Sequence, residues 1–289
     1  MIKIYIANQS RQQIGGGWTF IDNFISNAKR PGIEFTDNLQ DCDIYFIPSS
    51  SMVADSKEVE DTKALGKKIV LRVDNIPRNS RNRNTGTSRL FSYSQLADLI
   101  IYQSKWAKDF ISRFTKRDGP VIYNGVDLEL FNPNPDGEKI VKQGAPQYLY
   151  SRFNRDETKR WEEAWYYFQR IFFENPDAHL WIVGNFADEL VQYNFDFFGG
   201  AENRIKYLGI IEDKKELAKI YRSADIVLIP YFNDACSNTV LEALASGCLI
   251  ETCLSGRTGG TEELLNLKDI SVERMVNEYL EEFKKLLCH

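Results

Sequence analysis

Short apolar runs recur along the chain, and most are followed by a longer stretch whose apolar residues come at helical spacing. In the first half the runs are Ile2–Ala7, Asp43–Ile47, Lys68–Val73, Asp98–Tyr102 and Pro120–Ile122. Each has the length and near-continuous hydrophobicity of a strand covered on both faces. Trp18–Ala28 and Lys105–Thr115 carry the helical period between them. The pattern then breaks over Asn124–Ala145, where prolines and glycines predict a linker. Alternation resumes with strands at Gln147–Tyr150, His179–Gly184, Ile205–Leu208, Asp225–Pro230 and Cys248–Ile250. Helices are predicted at Thr158–Phe173, Lys214–Ser223 and Ser237–Ser246. A terminal helix, Val272–Leu287, repeats apolar residues at Val276, Leu280, Phe283 and Leu287. Strand–helix alternation on this scale predicts an α/β protein of two doubly wound, Rossmann-like domains facing a central cleft. The expected divisions are a first domain at 1–124, a hinge at 125–145, a second domain at 146–270, and a final helix at 271–289 that packs back toward the first domain.

Composition narrows the class. With 289 residues, 43% hydrophobic and 27% charged, the chain has a globular rather than a disordered profile. No apolar run is long enough to span a bilayer, and the N-terminus enters a strand pattern at once. A cytoplasmic location is therefore expected, with peripheral membrane contact as the furthest departure from it. Five cysteines in no CxxC pair and only two histidines, His179 and His289, predict neither a disulfide framework nor a metal centre. The net charge of −5 is unevenly spread. Residues 1–124 hold 18 Lys+Arg against 13 Asp+Glu, net +5, leaving −10 for the remainder. Two units with different partners are the natural reading.

The most informative segment is Ile226–Ile250, in which a strand ends at Pro230, a polar loop follows and a helix opens near Ser237. Unpaired first-turn N–H groups and the helix dipole make such a start a place to hold phosphate. Asp234 precedes the helix and Glu242 lies within it, eight positions on. This Asp-x7-Glu, followed by Ala-Leu-Ala-Ser-Gly, resembles the E-x7-E signature of the family-4 retaining glycosyltransferases, or glycosyl transferases group 1, which have the GT-B fold. The resemblance continues in order through Ala97-Asp98-Leu99-Ile100, Gln103-Ser104-Lys105-Trp106, Tyr123-Asn124-Gly125-Val126-Asp127 with Phe131, Ile205–Gly209, and Gly259-Gly260 with Glu263. It spans roughly residues 95–265.

The resemblance implies a sugar moved from a nucleotide diphosphate sugar (UDP-, GDP- or ADP-linked) to an acceptor hydroxyl, with retention. No DxD-type motif stands where it would bind a divalent cation, so no metal or other cofactor is expected. Glu242 would bind the donor ribose and Asp234 the transferred sugar, while Ser237, Asn238 and Thr239 would approach the diphosphate. Gly209 would lie near the base. Arg152 and Lys159 occupy the place of the family's cationic pair, two residues further apart than usual, and would offset the charge on the leaving diphosphate. Gly15-Gly16-Gly17 would let the backbone of Gly16 and Gly17 approach a ligand; a tight turn without ligand is the alternative, and the segment is not a GxGxxG fingerprint. Glu263 reads as structural.

Two departures bear on chemistry. The first domain has no histidine where relatives place one against the donor sugar, and Asp74, ending the run Lys68–Val73, stands where such a group would project. A turn-forming aspartate is the plain alternative. Next, Pro77–Asn84, extended by Arg89, shows no period and reads as a loop whose Arg78 and Arg81 could receive an anionic acceptor: a saccharide, a lipid-linked phosphate or nucleic acid. A solvated loop competes with that reading. Rival functions are a nucleic-acid-modifying sugar transferase, a non-catalytic nucleotide-sugar-binding protein and a sugar-nucleotide epimerase.

Overall fold

The apolar runs of the first half become one parallel sheet. In the computed structural model, which describes residues 1–7, 16–53, 55–74, 83–134, 136–153, 157–185, 202–253 and 259–288, the strands are β1 (Ile2–Ile6), β2 (Ile33–Phe35), β3 (Ile44–Ile47), β4 (Lys68–Val73) and β5 (Leu99–Tyr102). They pair in the order β2-β1-β3-β4-β5. Alternate side chains point to opposite faces, so Phe46 and Val70 enter one core while Tyr45, Ile47 and Leu71 enter another. Onto the second core pack α2 (Ser56–Ala64), α3 (Arg83–Leu96) and α4 (Lys105–Thr115), through Val59, Tyr93 and Ile111. The first is covered by α1 (Gly16–Ala28) through Phe20 and Phe24. The run Pro120–Ile122 does not extend the sheet, because only Val121 bridges Tyr102.

The arginine-rich stretch is partly helical, not a loop throughout. α3 begins at Arg83 and contains Arg89, its apolar contribution delayed to Leu90 and Tyr93, which are buried. That late start leaves its first turns without an apolar stripe, which hides them from a periodicity argument. Arg78 and Arg81 lie outside the described residues.

The second sheet is also parallel, with β6 (Gln147–Phe153), β7 (His179–Gly184), β8 (Ile205–Gly209), β9 (Ile226–Leu228) and β10 (Leu249–Glu251) in the order β10-β9-β6-β7-β8. Its helices are α5 (Trp161–Glu174), α6 (Lys214–Ser223) and α7 (Asn238–Ala245). Trp161 packs on Tyr150 and Phe153 of β6, with ring centroids 5.2 and 4.9 Å away.

The chain divides into two units whose borders do not follow its order. One holds Met1–Gly125, Asp234–Ser237 and Gly259–His289; the other holds Val126–Asn233 and Asn238–Thr258. The first unit thereby includes α8 (Thr261–Leu264) and α9 (Val272–Leu287). α9 starts at Ser271, whose hydroxyl accepts from the Arg274 N–H, and buries Val276, Tyr279, Leu280 and Phe283 in the core it shares with α1. Gly125 is needed where this helix begins: a Cβ there would sit 2.4 Å from the Ser271 carbonyl oxygen and 2.5 Å from the Val272 Cα. In the second unit the proline-rich segment is fastened to α6, since Arg222 donates to the Leu130 carbonyl (2.9 Å) and the Ile140 N–H to Ser223 (2.8 Å). No helix among the described residues is long and apolar enough to cross a membrane.

Candidate functional site

In the second sheet, β6 is where strand order reverses, with β7 on one side and β9 on the other. Ligands of doubly wound sheets bind beyond the carboxyl ends of strands at such a reversal. Arg152 is near the end of β6, and the segment after β9 leads into α7, which carries Glu242. Ser151 Oγ lies 2.7 Å from the Tyr221 hydroxyl, both buried. The Tyr221 hydroxyl, at the end of α6, also lies close enough to Glu242 to favour its charged form. β6, α6 and α7 therefore bring Ser151, Arg152, Tyr221 and Glu242 into one polar cluster within a single unit.

The cluster leaves Glu242 poorly solvated, although its side chain keeps partial exposure. Desolvation pushes its carboxyl up to about 7, while Arg152, the Tyr221 hydroxyl and Lys214 pull the other way. Tyr221 is held well above the ordinary tyrosine range, first by burial and then by the Glu242 charge. Its hydroxyl stays protonated and available as a donor.

Lys159 ends a single 3-10 turn, Glu157–Lys159. It is buried, its Nζ 4.5 Å from the centre of the Tyr231 ring, and its carbonyl accepts from the Tyr150 hydroxyl (2.9 Å). The Phe232 N–H donates to the Thr158 carbonyl (2.8 Å), which joins this turn to the loop after β9. Of the neighbouring arginines, Arg160 is paired with Glu163 at 2.6 Å, and Arg155 lies outside the described residues. Thr239, in the first turn of α7, is buried, and Asn238 is half-buried. Gly209 ends β8 at φ +76°, with nothing within 4 Å of a notional Cβ, so backbone conformation rather than crowding calls for glycine there.

Other candidates belong to the first unit. Asp74 directly follows β4 and is half-buried. Beside it, Arg72 is fully buried: its guanidinium donates to the Pro48 carbonyl (2.8 Å) and Asn124 Oδ1 (3.0 Å) and stacks 3.8 Å from the centre of the Phe20 ring. Gln103 lies against the same groups, its amide nitrogen donating to the Asp74 carbonyl (2.7 Å) and its oxygen accepting from the Asn124 side-chain N–H (3.0 Å). Asn124 in turn gives its side-chain N–H to the Cys236 carbonyl (3.3 Å). That link, with the Gly260 N–H on the Asp234 carbonyl (2.7 Å), fastens Asp234–Ser237 to the first unit. Asp234 is half-buried; Ser237 is buried, and its hydroxyl has no hydrogen-bond partner among the described residues. Gly16 and Gly17 are the first two residues of α1 rather than a loop, and a Cβ on Gly17 would sit 2.9 Å from the Met52 methyl.

Glu263 has a definite task. Its carboxylate accepts from the N–H groups of Lys105 (2.9 Å) and Trp106 (2.8 Å), at the start of α4, and from the Tyr123 hydroxyl (2.6 Å). An anion at the positive end of a helix with three donors is a strong cap. Glu263→Ala should lower the stability of the first unit by about 2 kcal/mol, read from denaturant midpoints; an unchanged midpoint would refute the capping role.

Sequence reasoning missed Tyr221. It sits among ordinary helix residues, and only the three-dimensional closure of α6 on β6 shows its hydroxyl meeting Ser151.

Residues 149–288 match the family model described as glycosyl transferases group 1. No curated protein sequence matches the chain. Among solved structures, HepE of Anabaena in complex with UDP and glucose is similar at TM-score 0.70 and 16% identity, covering 99% of this chain and 92% of that one. Sucrose-phosphate synthase from Thermosynechococcus elongatus is similar at TM-score 0.68 and 14% identity, over the full length of both chains. The trehalose-6-phosphate synthase OtsA gives TM-score 0.65 at 13% identity, over 100% and 99%. Residues 149–288 thus resemble the glycosyl transferases group 1, and the whole chain shares the GT-B fold of the solved structures it is similar to.

Proposed function

We propose that the protein transfers a sugar from a nucleotide diphosphate sugar to an acceptor hydroxyl, with retention and without a metal ion. The observation that carries this reading is the Ser151–Arg152–Tyr221–Glu242 cluster at the strand-order reversal of the second sheet. Glu242, once ionised, accepts hydrogen bonds from the ribose hydroxyls of the donor. Ser237, Asn238 and Thr239 take the diphosphate; Arg152 and Lys159 offset the charge that grows on it as the glycosidic bond breaks. Gly209 lies toward the base, and Asp234 contacts the transferred sugar. HepE is in complex with UDP and glucose, which makes UDP-glucose the first donor to try.

On the acceptor side, Asp74 orients the attacking hydroxyl or bonds a sugar hydroxyl, taking the position relatives give to histidine. Arg78 and Arg81 receive an anionic acceptor, saccharide or lipid-linked. A cytoplasmic location accompanies this reading.

The test is donor hydrolysis and transfer measured across UDP-, GDP- and ADP-sugars. Release of nucleoside diphosphate from one of them supports transfer; binding without release in the presence of acceptor extracts would favour a non-catalytic sugar-nucleotide receptor. Asp74→Asn should lower kcat by about two orders of magnitude with donor affinity intact, the usual size of a general acid–base contribution. Normal turnover in that variant removes Asp74 from the chemistry.

A further inference from the structure

The outer side of α4 is not accounted for by sugar transfer. Its inner residues Ala107, Ile111 and Thr115 are buried. Trp106, Phe110 and Phe114 follow one another at four-residue spacing, so their rings stand in a row along the helix. Phe110 is 55% exposed and Phe114 42% exposed. Phe91 of α3, also 42% exposed, meets Phe114 with ring centroids 5.5 Å apart, and Trp106 stacks on Phe110 at 6.1 Å. Aromatic surface of this extent is seldom left against water without a partner.

The charges around it have one sign in excess. Lys105, Arg113 and Lys116 are exposed and form no ion pair among the described residues. Nearby Lys108 is paired with Asp118 (2.6 Å), and Arg117 donates to the Ala97 carbonyl (2.8 Å). Of α4's own residues only Asp109 is acidic. Residues 1–124 carry +5 in a chain whose net charge is −5, so this local excess lies in the more basic part of the sequence.

We propose that the outer side of α4, with Phe91 of α3, docks onto an anionic lipid bilayer. A row of tryptophan and phenylalanine on a basic amphipathic helix is built to lie in the plane of the headgroups, rings toward the acyl chains and bases toward lipid phosphates. The favoured depth for such rings is the interface itself. A second copy of the chain is a poor occupant, because a twofold contact would set each row of bases against its like. The inference is independent of the transfer reading, since vesicle binding is measured without turnover.

The experiment is co-sedimentation of the full-length protein with large vesicles, one set of phosphatidylcholine alone and one of three parts phosphatidylcholine to one part phosphatidylglycerol. Binding is expected to the anionic set only, and to weaken as salt is raised. Phe110→Ser with Phe114→Ser should reduce partitioning at least about tenfold, and Arg113→Glu by more than the roughly fivefold expected for removing one base. Thermal unfolding and far-UV circular dichroism of these surface variants should match the parent, which shows that they are folded. Three results would overturn the proposal: no binding of the folded parent to anionic vesicles, equal binding by the variants, or a concentration-dependent dimer that the same substitutions dissociate.

Discussion

Glu242→Ala is expected to weaken nucleotide-sugar binding by about a hundredfold or more, and Glu242→Gln to make the ligand-free protein more stable above pH 7. Both follow from one carboxyl. Two charge-assisted hydrogen bonds from ribose hydroxyls are each worth about 1.5–3 kcal/mol, so losing both removes the donor from the working range. Without ligand the same carboxyl is a burden. Its pKa is raised from 4.5 to about 7 by desolvation, so the folded protein holds the proton more tightly than the unfolded chain does. A raised folded-state pKa gives stability that is present below pH 4.5 and lost as pH climbs through 7. A shift of this size corresponds to about 3 kcal/mol; partial exposure of the side chain screens it to about 1–2 kcal/mol. Glutamine never ionises and escapes the penalty. At pH 8 the variant should therefore melt several degrees higher than the parent, with the gap narrowing toward pH 5. Calorimetry of both proteins at the two pH values decides the matter, and equal melting at pH 8 would show that Glu242 is not strained by ionisation. The parent's donor affinity should rise as pH passes through 7, since the ionised form is the acceptor.

What could be read from the sequence, and what could not, separates by physical cause. β3 was visible because a strand buried on both faces leaves an unbroken apolar run, and β4 because only Arg72 interrupts one between Ile69 and Val73. α7 was visible because a strand, a polar loop and a carboxylate at fixed spacing all agree. α3 was not, since its first turns are polar and its anchors Leu90 and Tyr93 come late. The joining of Asp234–Ser237 to the first unit was hidden for another reason. It rests on contacts of Asp234 with Gly260 and of Cys236 with Asn124, residues far apart in sequence that carry no periodic signal. Tyr221 belongs with these: its role is a matter of which buried hydroxyl it meets.

Long-range packing also sets the largest stability effect expected here. Phe283, near the end of α9, is fully buried, with ring centroids 5.4 Å from Phe46 of β3, 6.1 Å from Phe24 of α1 and 6.2 Å from Tyr279. Those partners come from strand, first helix and last helix, so a helix near the chain's end completes the core of a unit that begins at its start. Phe283→Ala removes a ring from a site walled by other rings, which collapse poorly into the space left. The cost should be about 3–5 kcal/mol, enough to lower the melting of the first unit by on the order of 10 °C. The second unit keeps its own core around Trp161, Tyr150 and Phe153, none of which touches Phe283 among the ring contacts described. Scanning calorimetry of the variant should accordingly show one transition displaced and another near its original temperature. A single transition shifted as a whole would mean that the two units unfold as one, and an unshifted profile would mean that α9 adds little to the core.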